Sequence, residues 1–116
     1  MRYFKESEFD CKCNCGKNEM NEDFMNRLDK AREYSATPYI INSGMRCPEH
    51  NKRVGGADTS SHLKGLAADI QAKDSRQRYE ILIGLLAIGF NRLGIGSDFI
   101  HVDADESKLS RAVWVY

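Results

Sequence analysis

The sequence predicts an α+β fold in which a small antiparallel sheet is flanked by helices. Some segments have apolar residues at helical spacing. Between them lie short segments in which apolar and polar residues alternate, as in half-buried strands. With 116 residues and 41% hydrophobic content, the chain is long enough for one compact domain with a core and too short for two. We therefore expect a single domain over residues 1–116.

Three helices are predicted from apolar spacing and from residues that start or end helices. Phe24, Leu28 and Ala31 recur at helical spacing, which predicts an amphipathic first helix. Proline at the start and glycine past the end are typical of the second helix, and Asp or Ser at the cap is typical of the third. The predicted helices run over residues 21–34, from Pro48 to near Gly55 and Gly56, and from a cap at Asp74 or Ser75 to Gly89.

Five short strands are predicted, and two of them carry polar residues of functional interest. The predicted strands cover residues 39–41, 66–71, 93–95, 99–103 and 113–115. Because side chains alternate between the two sides of a strand, Asp69 can face a cleft while Ile70 enters the core. By the same alternation His101 lies opposite the apolar pair Ile100 and Val102.

Two histidines and an aspartate suggest a zinc site. His62 and Asp69 lie in one segment, and His101 follows in a later strand. Three protein ligands leave the fourth position of tetrahedral Zn²⁺ open for water, whereas structural sites are usually closed by four protein ligands. The chain must fold back between His62 and Asp69, because seven extended residues span roughly 23 Å. Gly65 supplies the expected turn. The open fourth coordination position of the zinc ion points to hydrolysis.

Two further carboxylates lie close to His101 in sequence. Asp98 lies three residues before it, at the turn into the strand, where a carboxylate could accept a proton from the attacking water. Asp103 lies two residues after it. Spacing alone leaves Asp103 open as a ligand or as the base.

These segments resemble a known family. The pattern Ser-x-His-x-x-Gly-x-Ala-x-Asp at residues 60–69, followed by acidic-x-x-His at 98–101, resembles the zinc D-alanyl-D-alanine peptidases, the M15 peptidases. Residues 43–51 are similar to the segment that carries the active-site arginine of that family. The resemblance runs over about residues 7–115 and implies the Hedgehog/DD-peptidase-like zinc peptidase fold.

The resemblance also implies roles for individual residues. The implied Zn²⁺ ligands are His62, Asp69 and His101. Asp98 would be the catalytic acid/base, and Arg46 would bind the substrate carbonyl oxygen and stabilise the oxyanion. Ser60 would bind substrate backbone or carboxylate. The family implies no role for Asp103, which could orient an imidazole from outside the ligand set.

The resemblance implies a substrate class as well. The family includes bacterial peptidoglycan carboxypeptidases and phage endolysins that cut stem peptides. We therefore expect a zinc metallopeptidase domain that acts on the peptidoglycan stem peptide, of the D-Ala-D-Ala carboxypeptidase or the L-Ala-D-Glu endopeptidase type. The alternative is a non-catalytic module of the same fold, in which zinc stabilises the fold and the groove binds a peptide or protein partner. Asp98 and Arg46 favour the enzyme.

Charge and apolar runs limit the partners and the location. Seventeen basic and seventeen acidic residues leave no net charge, so the sequence does not indicate nucleic-acid binding. The longest apolar run, residues 81–90, is too short to cross a bilayer. No basic and apolar leader is visible. We expect a monomer made in the cytoplasm, a phage or prophage endolysin that reaches the cell wall after phage-mediated release.

Four cysteines leave three states open. Cys11, Cys13 and Cys15 alternate near the start of the sequence, and Cys47 follows Arg46. The thiols could be free, a disulfide could join Cys47 to one of the others, or the group could bind a second metal. The spacing is tighter than the usual Cys-x2-Cys of zinc sites, and cytoplasmic synthesis favours reduced thiols. Any tether would hold Arg46 in place.

Overall fold

A computed structural model of the protein describes all 116 residues and contains a five-stranded sheet, one face of which packs against two of the three helices. The helices are α1 (Glu22–Ser35), α2 (Pro48–Arg53) and α3 (Ser75–Ile88), and the strands are β1 (Ile41–Ser43), β2 (Ala67–Gln71), β3 (Arg92–Ile95), β4 (Phe99–Asp103) and β5 (Ala112–Val115). Short 3-10 turns occupy Glu6–Phe9 and Ser61–Lys64. The strand order is β1-β2-β4-β3-β5. None of the helices has the length and apolar character that spanning a membrane requires.

The α+β class predicted from the sequence is confirmed, but the sheet is mixed rather than antiparallel throughout as predicted. The β1–β2, β2–β4 and β3–β4 pairs are antiparallel, whereas β5 runs parallel to β3. The parallel pair follows from the position of the chain after β4. The end of β4 lies beside the start of β3, because Val102 pairs with Leu93. Residues 104–111 therefore bring the chain back to Arg92. From there β5 runs in the same direction as β3.

The helix predictions agree closely with the structure, in which polar side chains cap the start of both long helices. The side chain of Asn21 accepts a hydrogen bond from the Phe24 N–H at 2.8 Å and starts α1. Asp74, rather than Ser75, caps α3, accepting the Gln77 N–H at 2.8 Å. The first strand begins two residues later than predicted, at Ile41, and the ring of Tyr39 before it is buried in the core.

The core lies between one face of the sheet and helices α1 and α3. It contains Phe24 and Leu28 of α1, Ile81 and Leu85 of α3, Ala68 and Ile70 of β2, and Ile100 and Val102 of β4. Asp69 and His101 lie between these strand residues and face the opposite side, so the predicted alternation is confirmed. Burial of the apolar face thereby directs the polar residues of β2 and β4 to the other face of the sheet.

A buried carboxylate attaches the first residues of the chain to α1. Asp29 is 7% exposed and accepts backbone N–H groups of Arg2, Tyr3 and Phe4 at 2.9, 2.8 and 3.1 Å. Burial alone would raise the pKa of Asp29, but the three N–H groups outweigh it and hold the pKa below its usual range. Asp29 therefore stays ionised and fixes Phe4 in the core.

We expect Asp29→Asn to lower the free energy of unfolding by about 2 kcal/mol at neutral pH, because buried N–H groups lose a charged acceptor. The stabilisation is fully present above the pKa of an unfolded aspartate, about 3.9, and is lost as the pH falls through the lower pKa of the folded protein. Urea unfolding from neutral to acidic pH measures this difference. Asp58→Asn, at an exposed position, is the matched control. A difference that did not shrink on acidification would contradict the role of Asp29.

Candidate metal centre

The pairing of β2 with β4 places two of the predicted zinc ligands side by side. Asp69 and His101 are directly opposed in the antiparallel register, the arrangement in which side chains on one face are nearest neighbours. The Nδ1 atom of His101 lies 2.9 Å from the Oδ1 atom of Asp69. Both side chains lie on the face of the sheet that is opposite the core.

The third predicted ligand comes from the 3-10 turn before β2. His62 is 3% exposed and donates its Nδ1–H to the Gly44 carbonyl oxygen at 2.8 Å. This bond leaves Nε2 free, and Nε2 lies 3.4 Å from Oδ2 of Asp69. The turn ends at Gly65, whose φ of +69° is left-handed, and a Cβ there would lie 2.2 Å from the Glu19 carbonyl oxygen. The predicted turn at Gly65 is therefore present in the structure.

The three side chains have a geometry that fits zinc. One ligand atom each from His62, Asp69 and His101 lies within 4.8 Å of the others. Zinc bonds to nitrogen and oxygen of about 2.0–2.2 Å put tetrahedral ligand atoms roughly 3.4 Å apart, close to the observed separations of 2.9 and 3.4 Å. Two imidazoles and one carboxylate also match the donor set of catalytic zinc sites.

A second carboxylate holds the far side of the His101 ring. Asp103 is 2% exposed, and its Oδ2 atom accepts the His101 Nε2–H at 2.8 Å. Its Oδ1 atom accepts the Arg92 Nε–H at 2.7 Å. Metal-binding histidines commonly donate their other N–H to such a carboxylate, which fixes the ring and the tautomer. This contact leaves Nδ1 of His101 directed towards Asp69, as metal binding requires.

The electrostatics of the cluster favour an ionised Asp69. Burial alone would raise the pKa of Asp69, but hydrogen bonds and charge from His101 and His62 hold it well below its usual range. Burial would lower the pKa of His101, yet contacts with Asp103 and Asp69 raise it. Burial likewise opposes ionisation of Asp103, whose pKa is nevertheless lowered by His101 and Arg92. The site therefore presents two carboxylates to the imidazoles and to any bound cation.

Arg46 lies directly beside these residues. Its guanidinium donates to Ser43 Oγ at 3.0 Å, to Asn51 Oδ1 at 3.2 Å and to Asp69 Oδ2 at 3.3 Å. Gly56 leaves the space for this arrangement, because a Cβ there would lie 2.0 Å from Asn51 Oδ1 and 2.9 Å from Arg46 Nη1. The guanidinium carries more N–H donors than these three bonds use. Arg46 is therefore held in place with donors left for a ligand.

The turn that carries His62 is fixed by polar contacts at both ends. Ser60 caps the turn, and its Oγ accepts the His62 N–H at 3.3 Å. Asp105 is 2% exposed and accepts the Ser61 hydroxyl at 2.8 Å and the Lys64 ammonium at 3.0 Å. No local pattern in the sequence indicates this role of Asp105, because residues separated by more than forty positions meet only after folding. Ser60 keeps its side chain at the cleft wall.

These residues line one cleft of about 380 Å³. Its lining includes the three candidate ligands and three further polar residues: His62, Asp69, His101, Arg46, Ser60 and Asp103. One wall is aromatic: the Trp114 ring lies 5.6 Å from the His101 ring, and the Phe99 and Tyr116 rings lie 5.0 Å apart. Trp114 and Tyr116 were not predicted from the sequence. Alternation along a strand places the two side chains on one face, but it does not say which strand lies beside them.

Asp98 is the one predicted site residue that the structure does not bring to the cleft. Its side chain is exposed in the turn before β4, and the cleft lining includes Phe99 but not Asp98. Its backbone carbonyl accepts the Ala72 N–H at 2.8 Å, which fixes the start of the β2–β4 pair. Asp98 lies three positions before His101 and just outside β4, so its side chain does not share the face of the strand from which His101 enters the cleft.

Comparison with known proteins adds a family to this geometry. A family model described as Peptidase M15 matches residues 2–103. No curated protein matches the chain closely enough to count as a relative. The matched range contains Arg46, Ser60, Asp98 and the three candidate metal ligands, and it ends with β4, so β5 and its aromatic residues lie outside it. Because this match covers most of the sequence, the chain belongs to the peptidase M15 family.

Proposed function

We propose that this peptidase is zinc-dependent and hydrolyses a peptide bond in the stem peptide of peptidoglycan. The observation that carries the proposal is the convergence of His62, Asp69 and His101 in a cleft that also contains Arg46. Three protein ligands leave one coordination position for water or substrate, which is typical of catalytic rather than structural zinc. The family match supports the same reaction class.

The residues around the cleft would have different roles in hydrolysis. A bound zinc ion would supply Lewis acidity, which polarises a carbonyl and lowers the pKa of a bound water to about 7. Arg46 has N–H donors left beside Asp69, and it would stabilise the negative charge that develops on the substrate carbonyl oxygen. Asp103 and Arg92 would keep the His101 ring in its ligating orientation.

The acid/base is the role for which family resemblance and geometry point to different carboxylates. The resemblance assigns it to Asp98, which would take a proton from the attacking water and return it to the leaving amine. Asp98 would have to approach the cleft when substrate binds, and catalytic contacts commonly tighten only at that stage. Asp103 is the carboxylate already at the cleft, but both of its oxygens are engaged with His101 and Arg92.

The cleft has features that suit a stem peptide. Arg46, Arg92 and Lys108 line it, and such cations attract the carboxylates of D-Glu and of a terminal D-Ala. Flat apolar surface for the peptide or its attached sugar is provided by three aromatic side chains, those of Phe99, Trp114 and Tyr116. We propose a D-Ala-D-Ala carboxypeptidase or an L-Ala-D-Glu endopeptidase of the phage or prophage endolysin type.

The bond that is cut can be read directly from digested substrate. Purified peptidoglycan is incubated with the zinc-loaded protein, and mass spectrometry identifies the new amino and carboxyl ends. We expect either loss of a terminal D-Ala or new D-Glu amino termini. His62→Ala should lose one zinc per chain and all turnover, whereas His50→Ala, outside the candidate ligand set, should lose neither.

Two outcomes would contradict this proposal. Full zinc content in His62→Ala would show that the three residues are not the metal site. No new ends from folded, zinc-bound protein would favour the non-catalytic module, whose groove binds a peptide without cutting it.

The two carboxylates near His101 can be separated by their zinc dependence. We expect Asp98→Ala to bind zinc like the parent protein and to lose turnover, because it removes the proton acceptor. Asp103→Asn should bind zinc about 10–100-fold more weakly, because a partner outside the ligand set is altered, and excess zinc should restore its turnover. Zinc titration and turnover at saturating zinc measure both effects. Turnover retained in Asp98→Ala together with turnover lost from zinc-saturated Asp103→Asn would move the acid/base role to Asp103.

Arg46→Lys should keep the charge but lose the planar donor group. We expect kcat/KM to fall by about 10²–10³ with zinc content unchanged, the typical cost of removing one oxyanion donor. Arg53→Lys, at an exposed position at the end of α2, is the matched control and should behave like the parent protein. An Arg46→Lys enzyme with parental kcat/KM would remove Arg46 from the mechanism.

A further inference from the structure

Four cysteines from two distant segments meet at one point outside the cleft. The thiol sulfurs of Cys11, Cys13, Cys15 and Cys47 all lie within 4.8 Å of one another. The Sγ atoms of Cys11 and Cys13 are 3.5 Å apart, and those of Cys13 and Cys47 are 3.6 Å apart. They account for every cysteine in the chain. Neither the family match nor the proposed reaction assigns them a role.

The backbone explains how the tightly spaced cysteines converge. Residues 12–15 form a turn and a bend, and Asn14 and Gly16 have left-handed φ values of 66° and 79°. The Cys11 N–H donates to the Lys17 carbonyl oxygen at 3.0 Å and closes this loop. Three cysteines that would point the same way from an extended strand therefore surround a common point instead.

A long-range contact brings in the fourth cysteine. The Met45 N–H donates to the Phe9 carbonyl oxygen at 2.9 Å, and a Cβ at Gly44 would lie 2.8 Å from the same oxygen. The segment before Cys47 therefore packs closely against the segment before Cys11. Cys47 then caps α2, next to Arg46.

The sulfur positions match the dimensions of a tetrathiolate metal site. Zinc–sulfur bonds of about 2.3 Å put the sulfurs of a tetrahedron roughly 3.8 Å apart, near the observed 3.5 and 3.6 Å. A single disulfide would join only two of the four sulfurs and would not require the other two to converge. Four thiolates closing a tetrahedron are the ligand set of structural zinc, and soft sulfur ligands select zinc over magnesium or calcium.

Backbone N–H groups are already directed at the sulfurs, as thiolates require. The Cys47 N–H donates to Sγ of Cys11 at 3.3 Å, and the His50 N–H donates to Sγ of Cys47 at 3.4 Å.

We propose that Cys11, Cys13, Cys15 and Cys47 bind one structural Zn²⁺ ion, separate from the site at His62, Asp69 and His101. Cys11 and Cys47 are buried, whereas Cys13 is half-buried and Cys15 is exposed, so the ion can enter from the surface. It would fasten the first loop of the chain to the start of α2. Since Arg46 precedes Cys47, the same ion would stabilise the segment that holds Arg46 in the cleft.

Zinc counting in matched variants tests this proposal without relying on activity. Protein purified under reducing conditions and loaded with zinc is analysed by native mass spectrometry and elemental analysis. We expect two zinc ions in the parent chain, one in His62→Ala and one in Cys47→Ser. Cobalt bound to His62→Ala should show sulfur-to-cobalt charge-transfer absorption, which nitrogen and oxygen ligands do not give.

A milder variant covers the case in which Cys47→Ser does not fold. Cys15 is exposed, so Cys15→Ser removes a ligand without disturbing the core. Changes outside a ligand set cost about 10–100-fold in metal affinity, and loss of a ligand should cost at least about 100-fold in chelator competition. A chelator should also lower the melting temperature of the His62→Ala protein, which keeps all four cysteines, more than that of the double variant His62→Ala with Cys15→Ser.

Two results would overturn the tetrathiolate site. One is zinc content and affinity that are unchanged by Cys15→Ser and by Cys47→Ser. The other is a reduced, zinc-loaded His62→Ala protein that holds no zinc, or whose mass is lowered by the two hydrogen atoms of a disulfide. A parent chain with a single zinc that is lost in the cysteine variants and kept in His62→Ala would support the cysteine site while contradicting the proposed catalytic one.

Discussion

The antiparallel pairing of β2 with β4 is the constraint on which the site depends. It opposes Asp69 to His101 on one face while Ile70 and Ile100 enter the core on the other. Because side chains alternate along a strand, a slip of one residue would bury Asp69 and expose its apolar neighbours. The free energy of burying the core therefore also maintains the contact between the two proposed ligands.

Around this pair, buried carboxylates fix the orientation of groups that the sheet alone leaves free to rotate. Asp103 holds the His101 ring, and Asp105 holds the turn that carries His62 through Ser61. Both carboxylates are almost fully buried, which opposes their ionisation. Hydrogen bonds from N–H and O–H groups and the cations beside them nevertheless lower both pKa values. Such networks are costly unless every member is paired, and a paired network is rigid.

The first loop of the chain supports the cleft from outside, whereas the last residues line it. The first loop packs behind Arg46 through the contact of Phe9 with Met45 and through the four cysteines. At the other end, β5 adds Trp114 and Tyr116 to the cleft wall because it pairs in parallel with β3. The wall of the cleft beside His101 thus comes from the last residues of the chain, while the first loop holds the segment of Arg46 in place.

The sequence by itself determined the α+β class, the start of α1 near Asn21, a cap of α3 at Asp74 or Ser75, the turn at Gly65 and the faces of Asp69 and His101, because spacing and local backbone preference decide these features. Only the tertiary structure decided that Asp103 contacts His101 and Arg92, that Asp98 lies outside the cleft, that β5 is parallel and that four cysteines converge. These features depend on which strands become neighbours and where loops return. Such contacts join residues far apart in sequence, and no local pattern encodes the distance between them.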